Sequence, residues 1–286
     1  MEIYTEIGPC RDAAVRARSS GRKVALVPTM GALHEGHLAL LRAARQMADY
    51  VAVSIFVNPK QFAPGEDFNA YPRTLDDDLA KCRAAGVDVV FAPGVEAMYG
   101  QGPLTTVHVG RISEGLCGRF RPGHFDGVAT VVAKLFNILA ADVAIFGEKD
   151  YQQLVVIRWM VRDLNIPIEI VAHATVREPD GLAISSRNRY LSPSERRQAA
   201  SLSAALFAAV DGVRGGQKDA HVLTDKIREE LTVAGPVQIE YVEVVDLETL
   251  APVAIVDRPA RICLAVRIGA CRLIDNVAVD APDFRG

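Results

Sequence analysis

The sequence predicts a doubly wound α/β domain followed by a smaller α+β domain. Three observations carry that expectation. Short apolar runs rich in β-branched residues alternate with helical stretches up to about residue 175. Those runs show almost no polar alternation, as in strands covered on both faces. Beyond them, the alternation gives way to two long helical stretches and then two strands.

In chain order, Val24 to Val27 reads as a strand ending at Pro28, and Gly31 and Gly36 punctuate a loop before a helix from His37. Tyr50 to Val57 is a buried strand, and helix Leu75 to Ala85 leads through Gly86 to strand Val87 to Phe91. Helix Gly127 to Ala140, strand Val143 to Phe146, helix Tyr151 to Leu164 and strand Ile168 to Val171 complete the alternation. Parallel neighbours need such helical crossovers to reconnect them. Ser192-Pro-Ser-Glu195 then opens a helix running to about Val213: Ser192 caps, Pro193 fits the first position and Glu195 completes a capping box. After Gly215-Gly216 come a helix over Lys218 to Val233 and strands Ile239 to Val245 and Arg261 to Val266. The expected domains are residues 1–175 and 176–286.

The chain has 286 residues, with 32 Lys plus Arg against 35 Asp plus Glu, and a formal net charge of −3. Without a basic run, the footprint of a nucleic-acid binder is missing. Five cysteines without a C-x-x-C pair argue against a disulfide framework or a cysteine zinc site. The N-terminal residues lack the basic and apolar regions of a signal peptide, and the longest uncharged, mostly apolar run, Gln198 to Val210, is too short to span a bilayer. A soluble, cytoplasmic protein is expected.

Four polar constellations, with a turn-rich stretch and an acidic triplet between the second and third, sit on this frame. Pro28-Thr-Met-Gly-Ala-Leu-His-Glu-Gly-His37 joins the first strand to its helix, where ligands bind in open α/β sheets and where a helix N-terminus attracts anions. A lone histidine there would usually be a loop cap or a solvated first-turn residue; a pair flanked by glycines points to phosphate. His34, Glu35 and His37 lack the H-E-x-x-H spacing and a third ligand, which argues against zinc. Asn58 and Gln61, after the second strand, suit hydroxyl or carboxylate recognition, although a hydrogen-bonded turn also explains Asn58-Pro59. The turn-rich stretch from Pro64 to Pro72 suits a mobile lid and a plain surface loop equally. Asp76-Asp77-Asp78 opens a helix as dipole-favoured carboxylates or as a magnesium contact. Lys149 opposes the dipole at a helix start and so calls for a partner such as phosphate, with Gln153 on the face of Asp150. Ser185-Ser186-Arg187 follows a glycine turn at the domain junction and forms a clamp suited to a polyphosphate, or a solvated turn.

The blocks P-T-M-G-A-L-H-E-G-H, F-V-N-P-x-Q-F, A-Y-P-R-T, R-P-G-H-F-D-G-V, F-G-E-K-D-Y-Q-Q and I-S-S-R-N-R-Y-L, in this order over most of residues 24 to 191, closely resemble the pantothenate synthetase (pantoate–β-alanine ligase) family of the nucleotidylyltransferase-fold superfamily. The resemblance implies a Rossmann-like first domain, a smaller hinged C-terminal domain and a cytoplasmic homodimer. It implies that pantoate and MgATP give pantoyl adenylate and pyrophosphate, and that β-alanine then gives pantothenate and AMP. It places Met30, Gly31, Ala32, Leu33, His34, Glu35, Gly36 and His37 at ATP, with His34 and His37 on the phosphates and His37 as proton donor or charge stabiliser. Lys149 joins them as a catalytic residue; Gly147, Glu148, Lys149 and Asp150 hold nucleotide and phosphate; Ile184, Ser185, Ser186 and Arg187 close over the triphosphate; Val176 meets adenine by its backbone. Gln61 and Gln153 match the pantoate glutamines, Pro28, Met30, Val131 and Val132 suit its methyl groups, and Asn58 belongs to the same substrate set. Gln61 also meets β-alanine, with His124, and Asp77 and Asp78 match the region credited with magnesium.

One departure is Ile184, where the family usually carries Met; a backbone contact survives that change and a sulfur contact does not. The alternative enzyme class is a nucleotidylyltransferase acting on a phosphorylated acceptor, which needs a second phosphate patch and no paired glutamines. A tRNA synthetase needs a basic anticodon-binding extension and a lysine near Ser-Ser-Arg, and the chain shows neither. An ATP-binding sensor of the same fold leaves Gln61 and Gln153 unexplained.

Overall fold

The computed structural model describes residues 1–63 and 65–280. Nine strands are described: β1 (Glu2–Tyr4), β2 (Val24–Thr29), β3 (Tyr50–Ile55), β4 (Val89–Phe91), β5 (Val143–Gly147), β6 (Glu169–His173), β7 (Gln238–Asp246), β8 (Ala260–Ile268) and β9 (Cys271–Val279). The α-helices are α1 (Ile7–Ser19), α2 (Glu35–Met47), α3 (Leu75–Ala84), α4 (Val95–Tyr99), α5 (Cys117–Phe120), α6 (His124–Leu139), α7 (Tyr151–Asp163), α8 (Pro193–Arg214) and α9 (Ala220–Val233).

Two compact units divide the chain. The first holds Met1–Glu114, Arg121–Glu148 and Gln153–Ala174; the second holds Gly115–Phe120, Lys149–Gln152 and the chain from Thr175 on. The main boundary thus falls at 174/175 rather than 175/176, with two short excursions besides, and hydrogen bonds within the second unit account for the excursions. The Gln152 side chain accepts from Cys117 N at 2.9 Å and donates to Gly115 O at 2.8 Å. The Tyr151 hydroxyl donates to Leu247 O, and Asn276 Nδ2 donates to Lys149 O, both at 2.9 Å.

The first unit is a six-stranded sheet in the order β1-β4-β3-β2-β5-β6, parallel throughout. From β2 the chain winds outward through β3 and β4, then returns to the other side of β2 as β5, so the topological switch lies between β2 and β5. Ala25, Val27, Leu33, Leu41, Val53, Val90 and Ile145 belong to the buried cluster packed on one face of this sheet.

Pro28, expected to end the first strand, lies inside β2 opposite Ser54. Thr29 O accepts from Phe56 N on the β3 side and Val24 O accepts from Asp142 N on the β5 side. Backbone groups alternate sides along a strand, so Pro28 directs its missing N–H toward β5. The β2–β5 ladder pairs Ala25 with Val143 and Leu26 with Ala144, so Pro28 lies beyond the paired stretch and removes no bond from it.

Sequence reading gave no β1 or α1. The strand is three residues long, and α1 buries only small residues, Cys10, Ala13, Ala14 and Ala17, whose i, i+3, i+4, i+7 spacing was the available signal.

In the second unit β7, β8 and β9 form an antiparallel sheet. Its apolar face packs with α8 and α9 around Leu202, Leu206, Leu223, Ile227, Ile262 and Leu264. The capping box on α8 is formed: Glu195 N donates to Ser192 Oγ at 3.3 Å and Ser192 N to Glu195 Oε2 at 2.8 Å. Helix α9 starts at Ala220 rather than Lys218, because Asp219 caps it by accepting from His221 N and Val222 N.

Strand β9 escaped the sequence reading because Asp275-Asn276 interrupts its apolar run. Both residues are buried: Asp275 forms a bidentate pair with Arg177 at 2.6 and 2.9 Å, and Asn276 Oδ1 accepts from Arg261 at 2.6 Å. Removing one partner of such a buried pair costs about 3–5 kcal/mol.

Candidate active site

The carboxyl ends of β2, β3 and β5 set out the first unit's functional groups. After β2 the chain turns through Met30–Leu33 into α2, with His34 as N-cap and His37 in its first turn. The two imidazoles stack with centroids 4.0 Å apart and planes at 26°. Gly36 permits this: a Cβ there would lie 3.0 Å from His34 Nδ1, too close for an ordinary contact. His34 N donates to His37 Nδ1 at 3.3 Å. With Nδ1 accepting, the neutral ring carries its proton on Nε2, which makes that nitrogen the donor. Two partly buried imidazoles and the positive end of α2 form an anion-attracting group at the switch point. Glu35 turns outward and pairs with Arg42.

The loop is held from beneath. Thr29 Oγ1 accepts from Gly31 N at 3.1 Å and donates to Ser54 O at 2.8 Å. Ala32 N and Leu33 N donate to the two oxygens of Asp78 at 2.8 and 2.7 Å, and Lys81 Nζ donates to Leu33 O at 2.7 Å. Asp78 is fully buried and Asp77 is exposed. A magnesium ion needs near-octahedral oxygen ligands and keeps several waters, so a buried carboxylate already holding two amides and the Thr74 hydroxyl does not fit one. Among the described residues no group of three or more His, Cys, Asp or Glu is arranged to hold a metal.

After β3, a single turn over Pro59–Gln61 carries Gln61. Its Nε2 lies 2.8 Å from Met30 Sδ, which joins the first two constellations. Asn58, expected to touch substrate, instead has its hydrogen-bonding capacity filled by the protein. Nδ2 donates to Gln61 Oε1 and Gly127 O, both at 3.1 Å, while Oδ1 accepts from Lys60 N at 3.2 Å and Tyr99 OH at 2.7 Å. Burial pushes the Tyr99 hydroxyl up to about 12, so it stays a donor. Helix α6 comes against this turn so closely that a Cβ on Gly127 would lie 2.2 Å from Lys60 O. Val131, one turn on from Gly127, and Val132 are both buried. Pro28 and Met30 are partly exposed.

The main chain at Gln61 is fixed separately. Its carbonyl accepts from His124 Nδ1 at 2.7 Å and Arg121 Nη2 at 3.1 Å. His124 Nδ1 therefore carries a proton, and Nε2, 3.0 Å from Arg121 Nη1, accepts. Arg121 also grips Glu66 through two bonds of 2.7 Å. Burial alone would raise the Glu66 carboxyl, but its bonds and charge pairing with Arg121 outweigh this and hold it below its ordinary value. This fixes the start of the turn-rich stretch, whose Pro64 lies outside the described residues. Further along, Phe62 packs edge-on against Phe68 and Tyr71, and Arg73 donates to three backbone carbonyls. Arg121, Glu66, Tyr99 and Lys81 were not singled out from sequence, although Arg121 stands in the R-P-G-H block and Lys81 lies one turn after Asp78.

Gly147 ends β5 opposite His173, Glu148 follows it, and Gln153 is half-buried in the first turn of α7. The remaining expected residues lie in the second unit. Lys149 is 3.9 Å from Asp150. Val176 O accepts from Ile184 N at 3.0 Å, bringing both ends of the 176–184 turn together. Ser185 caps a short 3-10 helix by accepting from Arg187 N at 3.3 Å, and Ser186 is buried.

Comparison with known proteins gives one answer. A profile of the family described as Pantoate-beta-alanine ligase matches residues 2–278. A pantothenate synthetase of Moorella thermoacetica is 52% identical over 283 residues, covering 99% of this chain and 100% of that protein. The crystal structure of pantothenate synthetase from Thermus thermophilus superposes with a TM-score of 0.92 at 46% identity, over 97% of this chain and 99% of that one. Pantoate-beta-alanine ligase from Francisella tularensis, complexed with beta-gamma ATP and beta-alanine, has a TM-score of 0.80 at 34% identity, over 97% of both chains. With a parallel sheet switching at β2 and β5, a histidine pair at that switch and these relatives along nearly its whole length, the chain belongs to the pantoate–β-alanine ligase family.

Proposed function

We propose a residue-by-residue route for the ATP-dependent ligation of pantoate to β-alanine, the reaction of this family. A pantoate carboxylate oxygen attacks the α-phosphorus of ATP, forming pantoyl adenylate and releasing pyrophosphate. The β-alanine amine then attacks the acyl carbon, and AMP leaves with the electrons of the broken C–O bond. The detour makes chemical sense because a free carboxylate is a poor electrophile, whereas the acyl phosphate has AMP as leaving group.

The observation that carries this reading is the stacked His34–His37 pair on the N-terminus of α2, beside the Met30–Gln61 contact. His37, with its proton on Nε2, donates to the phosphate oxygens as charge moves onto pyrophosphate, and His34 supports the same charge. The loop Met30–Gly36 lies along ATP. Gln61 and Gln153 bind the hydroxyls and carboxylate of pantoate, while Pro28, Met30, Val131 and Val132 bound its methyl groups. Asn58 acts through Gln61, whose amide it orients. Gln61 also meets β-alanine, and His124 serves that substrate by fixing the Gln61 carbonyl.

Gly147, Glu148, Lys149 and Asp150 are assigned to nucleotide and phosphate, Val176 to adenine, and Ile184, Ser185, Ser186 and Arg187 to the triphosphate. A magnesium ion brought by ATP would neutralise phosphate charge and would be held mainly by phosphate oxygens and water, with Asp77 as the exposed carboxylate within this acidic stretch. A cytoplasmic homodimer completes the reading, supported by family membership. Sedimentation tests the dimer.

The deciding experiment is pantoate-dependent exchange of labelled pyrophosphate into ATP with Mg²⁺ and no β-alanine. Exchange is expected because adenylation precedes amine attack; none in folded protein that makes pantothenate would rule out the adenylate.

A further inference from the structure

We propose that Asp78 and Lys81 are positioning residues that set the histidine-bearing loop from beneath, and that Asp78 is not a magnesium ligand. The two side chains project from α3, three residues apart and so on one helix face. They meet opposite polarities of one short stretch: the Asp78 carboxylate takes the N–H groups of Ala32 and Leu33, and the Lys81 ammonium takes the carbonyl of Leu33. His34 follows at once as the cap of α2, so this stretch fixes where α2 and its imidazoles begin.

Three further observations support the assignment. Ala32 has φ of 51°, a left-handed conformation that a residue with a Cβ rarely adopts unless its surroundings hold it there. The Asp78 bond to Ala32 N is the contact that holds it. Asp78 is fully buried, and its oxygens serve three donors, the third being the Thr74 hydroxyl at 3.2 Å. A carboxylate offers about four lone-pair positions, so little remains for a cation. Finally, the Lys81 ammonium binds the carbonyl of the residue whose amide binds Asp78, which brings a positive charge within one residue of the carboxylate and disfavours a second cation there.

The test compares Asp78→Asn, Lys81→Met and Lys81→Arg with the parent chain. Amide hydrogen exchange at Ala32 and Leu33 is read in the nucleotide-free protein. Single-turnover adenylation, KM for ATP and the Mg²⁺ concentration giving half the maximal rate are read at saturating pantoate. For Asp78→Asn, exchange at the two amides is expected to rise by about 10-fold or more. Adenylation is expected to fall by about 10- to 100-fold with a raised KM for ATP, while the Mg²⁺ midpoint stays in place. A shifted Mg²⁺ midpoint with unchanged exchange at Ala32 and Leu33 would overturn the proposal. Should Asp78→Asn fail to fold, Lys81→Met decides. Loop anchoring requires faster exchange at these amides, slower adenylation, recovery in Lys81→Arg and an unmoved Mg²⁺ midpoint. A metal site at Asp78 requires instead that loss of the ammonium lower that midpoint.

Discussion

The loop after β2 and the turn after β3 both present groups at the same edge of the sheet, yet different contacts hold them. In the histidine loop the protein grips the main chain: Asp78 and Lys81 take its amides and a carbonyl from below. At Gln61 the functional side chain itself is gripped, its Oε1 held by Asn58, which is held in turn by Gly127 and Tyr99. The contrast fits the partners. Under the proposed assignment, phosphates whose charge develops during reaction would be met by rings on a fixed platform, whereas the pantoate contact given to Gln61 would need its amide in one orientation.

The largest test of this contrast is His37→Ala. If the imidazole stabilises charge on the departing phosphates, single-turnover adenylation falls by roughly 10²- to 10³-fold while pantoate affinity holds. An unchanged rate would reduce His37 to a helix-capping role and erase the difference between the two regions. Asn58→Ala comes next. It leaves the buried Tyr99 hydroxyl and the part-buried Lys60 N without their acceptor, so urea denaturation should show a loss of about 1–3 kcal/mol, with a raised KM for pantoate and little change in KM for ATP. Equal effects on both substrates would show that the two regions are one mechanical unit.

Glu66→Gln probes the main-chain side of the Gln61 turn. The folded carboxyl sits below its ordinary value of 4.5, so its contribution is present above that value and is lost as pH falls through the lower folded one. The stability gap between parent and variant should be about 1–2 kcal/mol at neutral pH and close below pH 4.5. A gap independent of pH would place the effect in packing rather than charge. The smallest effect is expected from Ser192→Ala, in neither region. Loss of the α8 cap should lower stability by roughly 0.5–1 kcal/mol and leave adenylation unaltered.

The parallel sheet was legible in the sequence because strands covered on both faces read as unbroken apolar runs, and the histidine loop because glycines flank its polar groups. What escaped had other causes. Strand β9 hides behind Asp275 and Asn276, whose burial makes sense only once Arg177 and Arg261 are seen across from them. Asn58 had the right chemistry for a ligand, but its partners Tyr99 and Gly127 are 41 and 69 residues away in sequence. Asp78 raises the same difficulty in its partnership with Ala32 and Leu33. A carboxylate in a first turn fits a cap, a metal ligand or a loop anchor equally well until its acceptors are seen to be taken.

Pro28 has a consequence for binding as well as for the sheet. Lacking an N–H on the β5 side, Pro28 can offer β5 only its carbonyl, so beyond the pairs at Ala25 and Leu26 strand β2 has one ladder donor fewer. That missing donor is written into covalent structure, and a group arriving at this end of β2 competes with one main-chain hydrogen bond fewer, which leaves more of its interaction free energy for binding.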